Sequence, residues 1–136
     1  MRRLGPGERA SFTVLARRRW NDSGVLLEAG RGYRLTVADV VDWKDWWLEA
    51  DPETGVRSPP PWLERPWARS LRRVPSAPLL ALIGCIDHDP TTAFRIAREC
   101  ASSPAKTGEL SAFANDVPGF YWNNSGQLTL ALEATP

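Results

Sequence analysis

The chain has 136 residues, of which 43% are hydrophobic and 24% charged, and its net charge is +1. That length fits one domain able to bury a core without staples, and the composition excludes a disordered chain. A charge so near zero gives no support to wholesale nucleic-acid or membrane binding, and no apolar run approaches the roughly 20 residues of a membrane helix.

The first residues, Met1 to Gly7, contain no apolar core of a signal peptide. The default expectation is a cytoplasmic protein, with export by a route that leaves no cleavable signal as the alternative. Ser11 to Ala16 alternates like a strand. Trp20 to Gly24 is a turn cluster, Val25 to Leu27 a short apolar run, and Glu28 to Gly32 a glycine turn. Tyr33 to Ala38 is the next strand candidate, with an extension to Val41.

Between residues 42 and 78 the character changes. Asp51 to Gly55 reads as a turn, and Ser58 to Pro61 suits only an extended polyproline segment. Five of the seven tryptophans, Trp43, Trp46, Trp47, Trp62 and Trp67, fall within 25 positions here. An excursion this long is functional or disordered, and its tryptophans argue for packing. Trp43, Trp46 and Trp47 suit core or loop packing. Trp62 and Trp67, flanked by proline and arginine, suit a ligand platform or a subunit interface. Arg57, Arg65, Arg69, Arg72 and Arg73 form a basic patch, read as a solvated face, with an acidic glycan or phosphate as the alternative.

Leu79 to Ile86 is a continuous apolar run, as in a strand buried on both faces. Asp87 to Pro90 reads as a turn with His88 exposed on it. Thr91 to Ala101 fits a strand better than a helix, because its neighbours are strands. Ser102 to Gly108 is a loop, Glu109 to Ala114 a strand, and Gln127 to Leu132 the last strand. Twelve prolines speak against a helical protein. Seven or eight short strands separated by turns predict an all-β sandwich, one domain spanning residues 1–136.

Cys85 and Cys100 are expected to be free, packed thiols, with a disulfide as the alternative. Those two and the lone His88 are too few and too scattered for a zinc site. With one histidine there is no evident Ser-His-Asp set, there is no glycine-rich phosphate loop, and no pair of carboxylates stands out. The chain is therefore read as a non-enzyme. Trp20 to Gly24 and Trp122 to Gly126 share the pattern Trp-Asn-(Asp/Asn)-Ser-Gly ahead of a strand. The pattern is a good turn in its own right, and a remnant of duplication is the other explanation.

The chemistry concentrates between Asn115 and Gly126, whose sequence is Asn-Asp-Val-Pro-Gly-Phe-Tyr-Trp-Asn-Asn-Ser-Gly. Calcium takes six to eight oxygens from carboxylates, amides, carbonyls and water. Asp116 supplies a charge, Asn123 and Asn124 supply amide oxygens, and Pro118-Gly119 bends the chain so that carbonyls such as that of Phe120 can turn inward. Both asparagines reach one ion only if the backbone leaves extended geometry, which Ser125-Gly126 permits. The residues alone divide evenly between this reading and a hairpin loop capped by asparagines.

These twelve residues resemble the calcium and sugar loop of the bacterial PA-I galactophilic lectin family. Weaker similarity spans Trp20 to Gly24, Gly32 to Trp43, Ala81 to Gly84 and Phe94 to Ile96. The resemblance implies a small jelly-roll β-sandwich, galactose-binding-domain-like, that binds Ca2+ and carbohydrate, with a galactose-like ligand; the subunit-interface reading of Trp62 and Trp67 adds a homo-oligomer as an alternative. It places calcium ligands on the side chains of Asp116, Asn123 and Asn124 and on the carbonyls of Phe120 and Trp46. It implies that two sugar hydroxyls complete the calcium shell while Asp116, the Val117 backbone, Asn123 and Asn124 hydrogen-bond the sugar. The family's second loop carries a histidine and a glutamine. Here Pro59 to Arg73 takes that place, and Trp62, Arg65 and Trp67 stand where the second sugar contact belongs. A lectin-like module that has lost sugar binding and uses the Trp/Arg loop for protein contacts is the alternative function.

Overall fold

A computed structural model describes residues 1–136 as eleven strands: β1 (Arg2–Arg3), β2 (Arg9–Leu15), β3 (Asn21–Leu27), β4 (Tyr33–Asp45), β5 (Leu48–Asp51), β6 (Gly55–Val56), β7 (Leu82–Ile86), β8 (Asp89–Arg95), β9 (Glu99–Ser102), β10 (Gly108–Ala114) and β11 (Asn124–Ala134). Helical structure is limited to a four-residue 3-10 turn, Pro61–Glu64, a single α-turn, α1 (Pro66–Arg69), and a 3-10 turn at Tyr121–Asn123. The strands form two sheets, one in the order β1-β3-β10-β7-β8 and the other β2-β11-β4-β5-β6 with β9 also on β4. The fold is the expected β-sandwich, though with more strands than the turn signals suggested.

Alternation builds the core. Leu128, Leu130, Leu132 and Ala134 of β11 face Val25 and Leu27 of β3 and Leu110, Ala112 and Ala114 of β10 across the sandwich, all in one buried cluster. Each fully buried leucine contributes about 1.5–3 kcal/mol relative to exposure. Every residue of β7 is buried. Leu82 and Ile86 belong to the central core, whereas Ile83 and Cys85 join Ala77 and Phe113 on the outer face, covered by Trp20, Val74 and Ala93. The end of the excursion therefore roofs the five-stranded sheet. The Arg73 guanidinium lies 4.3 Å from the Trp20 ring centroid and 3.4 Å from that of Phe113.

Several local expectations need correction. Trp20 to Gly24 is not a free turn, because β3 begins at Asn21, whose buried carboxamide accepts from Leu15 N and donates to Leu15 O and Ala112 O. The apolar run from Leu79 does not continue as one strand. Leu80 has φ 65° and β7 starts only at Leu82. The turn after β7 is two residues, Asp87-His88, both with positive φ, and Asp89 and Pro90 are already in β8. That is the hairpin geometry whose twist matches paired strands. Thr91 to Ala101 is strand, as expected, but divides into β8 and β9 at Ala97, φ 59°. Both cysteines are free, Cys85 buried and Cys100 half-buried.

β4 runs to Asp45, well beyond the sequence-based boundary. Its pairing with β11 slips twice, since Ser125, Gln127 and Thr129 face Lys44, Val41 and Ala38. Each slip puts one extra residue on β4, and Asp42 (φ 50°) and Asp39 (φ 51°) sit at the two bulges. The second half of β4 thus carries Asp45 and Trp46 to the end of the sandwich where the 115–123 loop emerges.

Candidate calcium and sugar site

Asn115 fixes the root of the loop between β10 and β11. Its buried carboxamide accepts from Val74 N at 3.0 Å and donates to Val74 O, Ala77 O and Pro78 O. Its backbone bonds to Leu80 N and Ala81 O. One side chain therefore binds the loop to the closing segment of the excursion, and Arg73 N donates to Asp116 O alongside it.

Asp116 is 3% exposed. One carboxylate oxygen accepts from Val117 N at 2.7 Å and the other from Asn124 Nδ2 at 2.9 Å. Burial raises its pKa to about 7, Asp45 adds in the same direction, and the Val117 and Asn124 bonds and Arg72 act against them. Burial also raises the pKa of Asp45 itself. A buried carboxylate with a second, half-buried acid on the same cavity wall is costly to ionise unless a cation joins them.

The asparagines supply the independent observation. Asn124 donates both to Asp116 and to Ala16 O, at 3.1 Å, which aims its amide nitrogen into the fold and leaves its Oδ1 without a partner. Asn123 Oδ1 is likewise buried and unpartnered, and no other buried side-chain nitrogen or oxygen is in that position. A buried carbonyl oxygen without a donor costs about 1–3 kcal/mol. Asn124 touches Asp116 through its amide nitrogen and Asn123 shares a cavity wall with it, and free amide oxygens on such neighbours suit a hard cation. Trp46, φ 56°, donates its N–H to Asn123 O at 2.8 Å, which seats the β4–β5 turn against the loop. Gly126, φ 96°, lets the chain pass β4, since a Cβ there would lie 2.1 Å from Asp42 O.

A cavity of about 450 Å3 opens at this end, lined by Asp45, Trp46, Asp116, Val117, Phe120 and Asn123 and, from the excursion, by Trp62, Leu63, Trp67, Leu71 and Arg72. Asn124 reaches it through Asp116. Arg65, expected at the sugar contact, is exposed and does not line it. Trp46, Trp47, Trp62, Trp67, Leu71 and Phe120 are all more than half exposed and line the cavity, so its walls are largely apolar with five aromatic rings among them, while the equally exposed Trp122 lies outside it. Trp46 meets Trp47 edge-on at 5.2 Å and Trp122 at 6.2 Å.

Two residues here were not assigned to the site from the sequence. Asp45 lies one position before Trp46, and β4–β11 pairing sets it opposite Asn124. Arg72, read as surface charge, is 4% exposed, with its guanidinium on Ala77 O and Leu63 O and 3.5 Å from Glu64. Its burial had no local signal. Elsewhere, His88 stacks on Trp20 at 4.0 Å and bonds Asp22 at 2.6 Å, and the Ser111 hydroxyl donates to the same Asp22 oxygen at 2.7 Å. The carboxylate stands between hydroxyl and imidazole, and no hydrogen bond joins those two, so this trio lacks the nucleophile-to-base contact of a hydrolase.

No protein-family model matches the chain, and no curated protein sequence does. Among solved structures, the EclA N-terminal domain, described as a PllA-like lectin, is similar with a TM-score of 0.63 and 17% identity, covering 91% of this chain and 94% of that one. The likeness establishes a lectin-like β-sandwich fold.

Proposed function

We propose that this chain is a calcium-dependent carbohydrate-binding protein. The observation that carries the reading is the pair of buried, unpartnered amide oxygens, Asn123 Oδ1 and Asn124 Oδ1, beside the buried Asp116. The likeness to a lectin fold supports it. Asp116, Asn123 and Asn124 would hold Ca2+ with their side chains, and Phe120 and Trp46 with their carbonyls. Bound there, the ion would supply a hard Lewis-acid centre for two vicinal sugar hydroxyls in place of water.

The protein groups then do the rest. Asp116 accepts from the sugar hydroxyls, the asparagines accept from or donate to them, and the Val117 backbone lies at the same wall. Trp62 and Trp67 offer flat apolar faces to the C–H side of a sugar ring. Galactose is the first ligand to test.

Calorimetry on chelator-stripped protein should show one Ca2+ per chain, followed by heat on adding galactose or another cis-diol sugar. Absence of calcium binding contradicts the proposal at its first step. A second reading, a lectin-like interaction module without sugar binding, is favoured by the exposed aromatic wall, which exceeds what one monosaccharide covers. Calcium binding combined with a blank glycan array would select it.

A further inference from the structure

Charge is distributed unevenly in this chain. Residues 57–73 carry five arginines and one glutamate, an excess of four positive charges in a protein whose net charge is +1. The fold gathers part of that excess into a second cleft, of about 320 Å3, on the other side of Arg72 and Leu79 from the aromatic cavity. Arg69 from α1, Arg72 and, from the end of β8, Arg95 line it, with the hydroxyl-bearing Thr54 and Ser76 and a single carboxylate, Glu64.

Only one of these arginines, Arg72, meets a carboxylate. Arg69 and Arg95 enter no ion pair, and Arg95 donates only to the Glu53 carbonyl, at 2.7 Å. Arg72 holds a buried cation on two carbonyls with Glu64 at the edge of bonding distance, 3.5 Å. Arg69 and Arg95 bring exposed guanidinium groups to a concave surface with two hydroxyls, and Arg72, its N–H groups held on carbonyls, adds a fixed buried positive charge behind them, a setting suited to planar or tetrahedral oxyanions. The volume exceeds that of a bare anion and suits a sugar unit bearing one.

We infer that the Arg69–Arg72–Arg95 cleft is a subsite for an acidic saccharide unit, one carrying a sulfate or a carboxylate. Arg72 and Leu79 form a wall common to both cavities, so the two sites are adjacent, and an acidic oligosaccharide long enough to pass over that wall would engage both. That extended form rests on the calcium-site reading, whereas the cleft's preference for an anionic sugar does not. Selectivity comes from Arg69 and Arg95, because a neutral sugar leaves their charge without a partner.

The test separates the two claims. In chelator, the protein is titrated with galactose 6-sulfate, glucuronate and galactose at low salt, read by NMR at the Arg69 and Arg95 side chains and the Thr54 and Ser76 amides. The acidic sugars should bind at millimolar level with shifts confined to the cleft, at least tenfold more tightly than galactose, and the two acidic probes tell sulfate from carboxylate recognition. Inorganic sulfate alone serves as a control, and equal binding of sulfate and sugar sulfate would overturn a saccharide subsite in favour of an adventitious ion only. The double variant R69A/R95A, and R69E as a single change, should abolish the preference while leaving the calcium-induced melting shift intact. An unchanged preference in both variants, or none in the native protein, overturns the inference. Failure to bind calcium with the acidic preference retained would sink the calcium-site reading alone.

Discussion

Replacing Asp116 by asparagine separates what the carboxylate costs from what it binds. In the calcium-free protein its pKa rises from the ordinary 3.8 to about 7. That gap of a little over three pK units corresponds to about 4 kcal/mol of folding free energy lost once the group is ionised, as at pH 8. Asparagine removes the charge and keeps the bond from Val117 N, but sets an amide N–H2 against Asn124 Nδ2 and forfeits that second bond. The mismatch costs about 1–3 kcal/mol. The net gain is about 1–3 kcal/mol, or about 4–12 °C in Tm for a chain of this size. Calcium reverses the ranking, because native protein gains about 3 kcal/mol at a hundredfold excess over Kd and the variant loses its charged ligand. Thermal melts of both proteins at pH 8, in chelator and in calcium, check the crossing. A variant that melts below the native protein in chelator and responds equally to calcium would refute the reasoning.

The same group sets a pH dependence. With its folded pKa raised, Asp116 contributes stability that is fully present below about pH 4 and lost as pH rises towards 7, so the chelated native protein should fall relative to D116N across that window, read as the difference of urea midpoints. A flat difference contradicts it. G126A should cost more than about 2 kcal/mol, since it meets Asp42 O as well as holding φ at 96°, and a melt within a degree or two of native would count against the packing described for that crossing. N115A deletes four hydrogen bonds of a fully buried carboxamide and should cost about 2–4 kcal/mol while loosening the 74–78 segment, seen as faster amide exchange at Val74; unchanged exchange there would contradict the anchoring role.

The sequence announced the sandwich through residues whose environment is local. The alternation of Leu128, Leu130 and Leu132 reads directly as one buried face, and the all-apolar Leu82 to Ile86 reads as a strand covered on both sides. What it hid depends on partners distant along the chain. β4 passes Asp39 and Asp42, residues that ordinarily end a strand, because β11 supplies a ladder in which each can bulge. Asn21, placed in a turn by its neighbours, is held in a strand by the carbonyls of Leu15 and Ala112. At the site, the close spacing of Asp116, Asn123 and Asn124 was visible as a motif, whereas the approach of Asp45 and Arg72 is produced by sheet pairing and by the fold of the excursion.

Electron density from a crystal grown in calcium tests the central claim most directly. The account predicts a single strong peak with anomalous signal ligated by Asp116 and by Oδ1 of both Asn123 and Asn124. A map in which those two oxygens bond to water or protein, with no ion among them, would contradict it.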